Sequence, residues 1–160
     1  MGLSSASVRE GIRRIEAYRD SIPARLDRVC TALCDLGVAV AVTVAPIDTG
    51  DLRSSIHVEQ RGGHTVLVVV DSEHAAFVEF GTGVVGEGTY QGELPEGWSY
   101  DERRTPEAHD PLDPTWWYYR DPVDGEVHKT QGQAGKGYML SASETMRQRL
   151  MDVAREAWSA

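Results

Sequence analysis

The chain has 160 residues, 41% apolar and 26% charged, with a net charge of −9 and a pI near 5.0. That length and apolar content allow one folded domain of ordinary size and argue against disorder by composition. The acidity argues against a protein that grips nucleic acid or an anionic membrane surface, since both need clustered Lys and Arg.

Residues 8–44 read as helix. Ile12, Ile15, Tyr18, Ile22, Leu26, Val29, Leu33, Leu36 and Val40 recur every three or four positions and form one stripe. Pro23 interrupts this run and is expected either in the first turn of a second helical segment or at a kink. Cys30 and Cys34, four residues apart on the helix, read as two buried thiols; no further ligands lie nearby to make a metal site. The N-terminus shows no apolar signal core and no 18-residue apolar run exists, so synthesis and retention in a cytoplasm are expected.

The stretch Ala45–Ile56, APIDTGDLRSSI, contains Asp48-Thr49-Gly50, the letters of an aspartic protease. A protease dyad needs two buried carboxylates sharing a proton, hence a second such motif or a symmetric dimer. A local reading explains the letters better. Asp48 is expected as the N-cap of a short helical turn, accepting from the amide of Gly50 or Asp51, with Ile47 and Leu52 as a hydrophobic staple.

Ser55–Gln60 and Thr65–Asp71 read as two strands joined at RGGH, a hairpin. His57 and His64 are expected to face each other across it; none of His57, His64, His74, His109 and His128 has metal-ligand spacing. Ala75–Glu79 reads as a short helix stopped by Gly81. GTGVVGEG is glycine-rich but lacks the Lys-Ser/Thr ending of a phosphate loop, and no serine sits in a nucleophile elbow.

Residues 84–131 change in texture, with five prolines, 11 acids against 4 bases, and three of the four tryptophans. This is read as an insertion or arm studded with aromatic anchors. TWWYYR and EVHKT around DPVDG predict a second hairpin. The cluster Trp116, Trp117, Tyr118, Tyr119 suits the core of the arm, a subunit or partner contact, or a stacking platform for sugar or bases, the last weakened by the surrounding acidity. TQGQAGKG reads as a flexible lead-in to a closing helix carrying Met139, Ala142, Met146, Leu150, Val153 and Ala157, with Ser141 or Ser143 as its cap. The expected fold is α+β: a long N-terminal helix and a C-terminal helix packed on a small antiparallel sheet, with a long aromatic-rich insertion. The chain is read as a single domain, 1–160, with 84–131 as an arm within it.

Three blocks, APIDTGDLRSSI, HAAFVEFGTG and TQGQAGKGYMLSA, resemble in order and spacing the head–tail connector or neck proteins of long-tailed, non-contractile phages, often labelled minor tail components. Pro46, Thr49, Gly50, Leu52, Ser55 and Ile56 match the first block of that pattern. Phe77, Glu79, Phe80, Gly81 and Thr82 match the second; in the third, Gly137-Tyr138 stands where Pro-Phe is usual. The resemblance implies a non-enzymatic virion protein at the head–tail junction, with no catalytic residues, cofactor or metal. It also implies a homo-oligomeric ring of six or twelve copies between head-completion and tail-terminator or tail-tube proteins, with DNA passing through the lumen without specific binding. Asp48, Thr49, Gly50, Leu52, Phe77, Glu79, Phe80, Gly81, Thr82, Trp116, Trp117 and Tyr118 are the candidate motif and subunit-contact residues. Competing readings are a tail-terminator or tail-completion subunit, an aspartic protease, and a sugar-binding module.

Overall fold

A computed structural model describes residues 5–100, 109–121 and 124–159. The acidic stretch 101–108 of the arm and positions 122–123 of its DPVDG turn lie outside the described residues.

The helical periodicity of the N-terminal third gives α1, Ser5–Val44, a 40-residue helix that continues through Pro23. Pro23 costs the bond to the carbonyl four residues back, but it neither ends the helix nor opens a second one. At 1.5 Å per residue, α1 is about 60 Å long. The segment after it makes one turn of helix, α2 (Asp51–Ser54), and then a hairpin of β1 (Ile56–Gln60) and β2 (Val66–Val70). Its register pairs Ile56 with Val70, Val58 with Val68 and Gln60 with Val66. The RGGH turn closes because Gly62 and Gly63 both take positive φ, 77° and 55°. His57 therefore lies opposite Val69, while His64 sits in the turn and reaches Asp27 of α1, Nδ1 to Oδ1 at 2.6 Å. The two histidines do not face each other.

Next come α3 (Ala75–Phe80), a two-residue strand β3 (Gly81–Thr82) and a turn of helix α4 (Gly83–Gly86). The arm carries the second hairpin, β4 (Trp117–Arg120) with β5 (Val127–Thr130). After it, β6 (Gln133–Ala134) pairs with β3, and α5 (Tyr138–Ser159) closes the described chain. The lead-in read as flexible is thus partly a strand. The antiparallel structure comes as three two-stranded pieces, β1–β2, β3–β6 and β4–β5.

The architecture is α+β, and its spine is the packing of α5 along α1, with the β1–β2 hairpin against α1. Trp158 near the end of α5 donates Nε1–H to Tyr18 Oη at 3.1 Å, and Arg25 donates to the Trp158 carbonyl at 2.8 Å. At the other end, Ala41, Ala45, Ile56, Tyr138 and Ala142 form a buried cluster, with Leu52, Val68, Val78 and Met139 packed around it. The helices are therefore antiparallel. Small residues on α1 let them approach closely: a Cβ on Gly37 would sit 2.5 Å from Met146 Sδ and 3.1 Å from Val68 Cγ2. Gly37→Leu is expected to lose roughly 1–3 kcal/mol through overpacking, measured by urea denaturation.

Cys34 is buried and Cys30 half-buried, both as free thiols. Burial, with the neighbouring Cys30 and Asp35, raises the Cys34 pKa and keeps it an unreactive thiol.

Candidate functional site

The DTG stretch is a structural corner. Asp48 is exposed, whereas the dyad chemistry its letters suggest needs a buried carboxylate. Nor is it the cap of α2. Gly50 holds the N-cap position with φ 92° and no side-chain cap bond, and the Asp51 amide donates instead to Thr49 Oγ1 at 3.3 Å. Thr49 in turn donates to Asp51 Oδ2 at 2.7 Å. The left-handed turn at Gly50 carries the chain into α2 without help from Asp48. Ile47 is 71% exposed, so the expected staple with Leu52 is not made; Leu52 packs on the core cluster instead. A further residue of this stretch, Arg53, was passed over by the sequence reading. Its Nε donates at 2.8 Å to the Ala45 carbonyl, just past the end of α1, and Nη2 reaches the same oxygen. A cation there satisfies an orphan carbonyl and complements the helix dipole.

The second block is the mechanical centre of the described structure. Glu79, 5% exposed, points from α3 at the start of α5, where its two carboxylate oxygens accept from the amides of Met139 and Leu140, each at 2.9 Å. The cap of α5 is this carboxylate, supplied from about sixty residues upstream. Ser141 and Ser143 lie inside the helix, with Ser141 Oγ donating back to the Gly137 carbonyl. A buried anion on two amides at a helix N-terminus gains from both charge-assisted hydrogen bonding and the dipole.

The backbone around Glu79 is zipped to the segment preceding α5. Lys136 N–H donates to the Val78 carbonyl at 2.8 Å and Gly137 N–H to the Glu79 carbonyl at 3.1 Å. Gln133 N–H donates to Thr82 Oγ1 at 3.2 Å. Gly81, at φ 86° and ψ 171°, turns the chain from α3 into β3. Tyr138 then enters the core as the largest fully buried side chain, its hydroxyl donating to the Ala75 carbonyl at 3.2 Å. Burial, with the Glu79 charge beside it, pushes its pKa up to about 12.

The arm folds onto this centre through aromatic contacts. Phe80 meets Tyr90 and Trp98 edge-on, with ring centroids 5.0 and 4.8 Å apart, and Tyr100 Oη donates to the Phe80 carbonyl. Phe77, at 47% exposure, continues the cluster outward. Trp116 and Trp117 are half-buried. Lys129 Nζ lies 5.0 Å from the Trp116 ring, and Trp117 fills the space beside Gly83. Trp116 thus packs within the arm and Trp117 at its base, while Tyr118 and Tyr119 are 42% and 44% exposed.

Asp110 pins the β4–β5 hairpin, and sequence reading had not singled it out. It is buried and accepts from Lys129 Nζ at 2.6 Å, Tyr118 Oη at 2.9 Å and the Leu112 amide at 2.8 Å. The Asp-Pro-Leu spacing was the available signal, because an aspartate bonding the amide two residues on is a common turn device. The Lys129 ammonium, then the Leu112 amide, hold its pKa well below the usual carboxylate range. A depressed folded pKa contributes stability above the unfolded carboxylate value of about 3.9, and the contribution is lost as pH falls below it. The stability difference between wild type and Asp110→Asn, from urea denaturation followed by Trp fluorescence, is therefore expected to shrink below about pH 4. A difference independent of pH would contradict this role.

At the turn of the same hairpin, one ligand atom from each of Asp121, Asp124 and His128 lies within 4.8 Å of the others. His128 Nε2 is 2.9 Å from Asp124 Oδ2, so these groups already form an ion-pair and turn network. The Glu126 amide and His128 lower the Asp124 pKa.

The two sequence blocks meet in space: Leu52 of the first and Val78, beside Glu79, pack on the same core cluster. They also share a match among known proteins. Residues 9–81 match the family model described as "Bacteriophage HK97-gp10, putative tail-component". No curated protein and no solved structure gives a significant match. The matched span runs from the first turns of α1 through both hairpin strands to the Gly81 turn, and it leaves out the arm and α5. Over residues 9–81 the chain is similar to this family of phage tail components, consistent with the connector and tail proteins that its sequence blocks resemble.

Proposed function

We propose that the protein is a structural subunit of the phage neck, forming a ring that joins the DNA-filled head to the tail. The family match is the observation that carries this reading: it supports a structural, virion-associated tail role and argues for a non-enzymatic protein. Within that role, two features favour a ring at a DNA passage. The net charge of −9 suits a lumen through which DNA slides without the counterion-release attraction that a basic wall creates. Long helices with exposed apolar side chains at their ends suit heterologous contacts between copies. No helix among the described residues is long and apolar enough to cross a membrane.

The test is localisation. Gold-labelled antibody against the protein is expected to mark the head–tail junction of intact particles. In lysates where heads and tails are kept apart, label on the heads supports the connector, and label on the tail ends supports the tail-terminator role instead. Label at the distal tip, or none on particles, overturns the neck reading.

A further inference from the structure

The stripe by which α1 packs does not end where its partner ends. Trp158 of α5 stops at Tyr18, so residues 5–17 of α1 run on for about 20 Å with no described element beside them. On this length Val8, Ile12 and Ile15 continue the stripe and are 44%, 50% and 70% exposed. They are spaced by four and three, which places them on one face. Arg9 and Arg13 border Ile12 in a shallow surface depression. From Ser5 to Arg19 the helix carries four arginines against two glutamates, a basic end on an acidic protein.

A surface of opposite character lies at the far end of the molecule. The described residues of 84–131 carry eight carboxylates against two bases. On their first part, Val84, Val85 and Leu94 are 42%, 45% and 38% exposed, with Glu87, Glu93 and Glu96 exposed among them. This face is anchored beside the start of α5, where Tyr90 packs on Phe80 and the Gly135 amide donates to Thr89 Oγ1 at 2.8 Å. The basic apolar end and the acidic apolar face are therefore separated by at least the length of α5, about 33 Å. They cannot meet within one chain.

We infer that the projecting end of α1 of one copy docks on the face formed by residues 84–96 of the next copy. The occupant is a second copy because the two surfaces match in charge and in apolar content, and because their placement at opposite ends generates a head-to-tail contact. Such a contact repeats around an axis and closes into a ring when the rotation from copy to copy divides a full turn. Steering between the basic end and the acidic face sets the register, and burial of Ile12 and Ile15 supplies the hold. This inference rests on the ring reading above and specifies its contact.

The test places the photocrosslinker p-benzoylphenylalanine at Ile15, an exposed position, in the phage that encodes the protein. Particles built from a mixture of isotope-labelled and unlabelled subunits are irradiated and the cross-linked peptides mapped. The expected product joins residue 15 of one copy to residues 84–96 of another. Cross-links only between two α1 ends, only to a different virion protein, or to no second copy overturn the docking while leaving the neck assignment standing. Absence of the protein from particles overturns the ring reading, and the docking with it. A companion experiment reverses charge: Arg9→Glu with Arg13→Glu is expected to abolish plaque formation, and adding Glu93→Arg with Glu96→Arg to restore it. Failure of the second pair to restore plaques contradicts the proposed contact.

Discussion

Glu79→Ala is expected to destabilise the protein by about 3–5 kcal/mol, more than an ordinary surface or cap substitution. The reason is what the carboxylate leaves behind. The Met139 and Leu140 amides are both satisfied by Glu79, which is 5% exposed. Each buried donor left unpaired costs roughly 1–3 kcal/mol. The dipole of α5 also loses its buried anion, a further ~1 kcal/mol or more in a partly buried setting. Glu79→Gln keeps an oxygen for one amide but turns an NH2 group toward the other. Its expected loss is smaller, about 1.5–3 kcal/mol, as for one hydrogen bond to a charged group. Urea denaturation followed by circular dichroism gives both values. Glu144→Gln, at an exposed position on α5, serves as the reference and is expected to change stability by under about 0.5 kcal/mol. If Glu79→Ala falls in that reference range, Glu79 does not hold α5 in place.

Gly81→Ala is expected to be comparably severe, by a different route. At φ 86° and ψ 171° the backbone occupies a region open essentially only to glycine, worth roughly 1–3 kcal/mol of strain for any other residue. The added Cβ would also meet backbone on every side, 2.6 Å from Gly135 N, 2.8 Å from the Gln133 carbonyl oxygen and 3.0 Å from Gly86 Cα. No rotamer relieves a clash with backbone, so the β3–β6 pair must open and with it the approach of Glu79 to α5. A total of about 3–5 kcal/mol is expected, when overpacking is added to strain. Gly88 separates the two causes. It has φ 71° but open space around it, so Gly88→Ala carries strain alone, about 1–2 kcal/mol. Equal losses at the two positions would show that the close approach at Gly81 contributes nothing.

Much of this fold was legible because it rests on periodicity. The apolar stripe of α1, the turn letters between β-branched and aromatic runs in the two hairpins and the spacing in α5 each announce their element through local sequence. What sequence concealed was long-range. The helical letters between Met139 and Ala157 suggest a serine cap, since a local cap is the common solution. The actual cap arrives from Glu79, and nothing near Met139 reports it; only the placement of an acid among apolar residues just before Gly81 hinted at it. The same holds for Arg53, whose partner Ala45 lies just past the end of the preceding helix, and for Asp110, whose partner Lys129 lies on β5. The DTG letters misled about Asp48 because a positive-φ glycine can open a helical turn without a side-chain cap. Pro23 does not open a second helical segment, because a long helix survives the loss of a single backbone bond.

The Phe77–Thr82 block shows how the motif relates to role. Glu79 and Gly81 serve the joint between α3 and α5, and Phe80 anchors the arm, so half of the block is architecture. The half-buried tryptophans are likewise part of the arm's own packing. Exposed apolar side chains lie on the N-terminal end of α1, at Phe77 and on the arm, Tyr118 and Tyr119 among them.

The neck assignment is tested most directly in the phage itself. A stop codon at Gln60 truncates the chain within β1, before β2, α3, the arm and α5 are made. Lysates from a non-suppressing host, imaged by negative-stain electron microscopy, are expected to contain filled heads and complete tails lying apart, with joined particles returning in a suppressing host. Normal, infectious particles from the non-suppressing host would contradict a role at the head–tail joint.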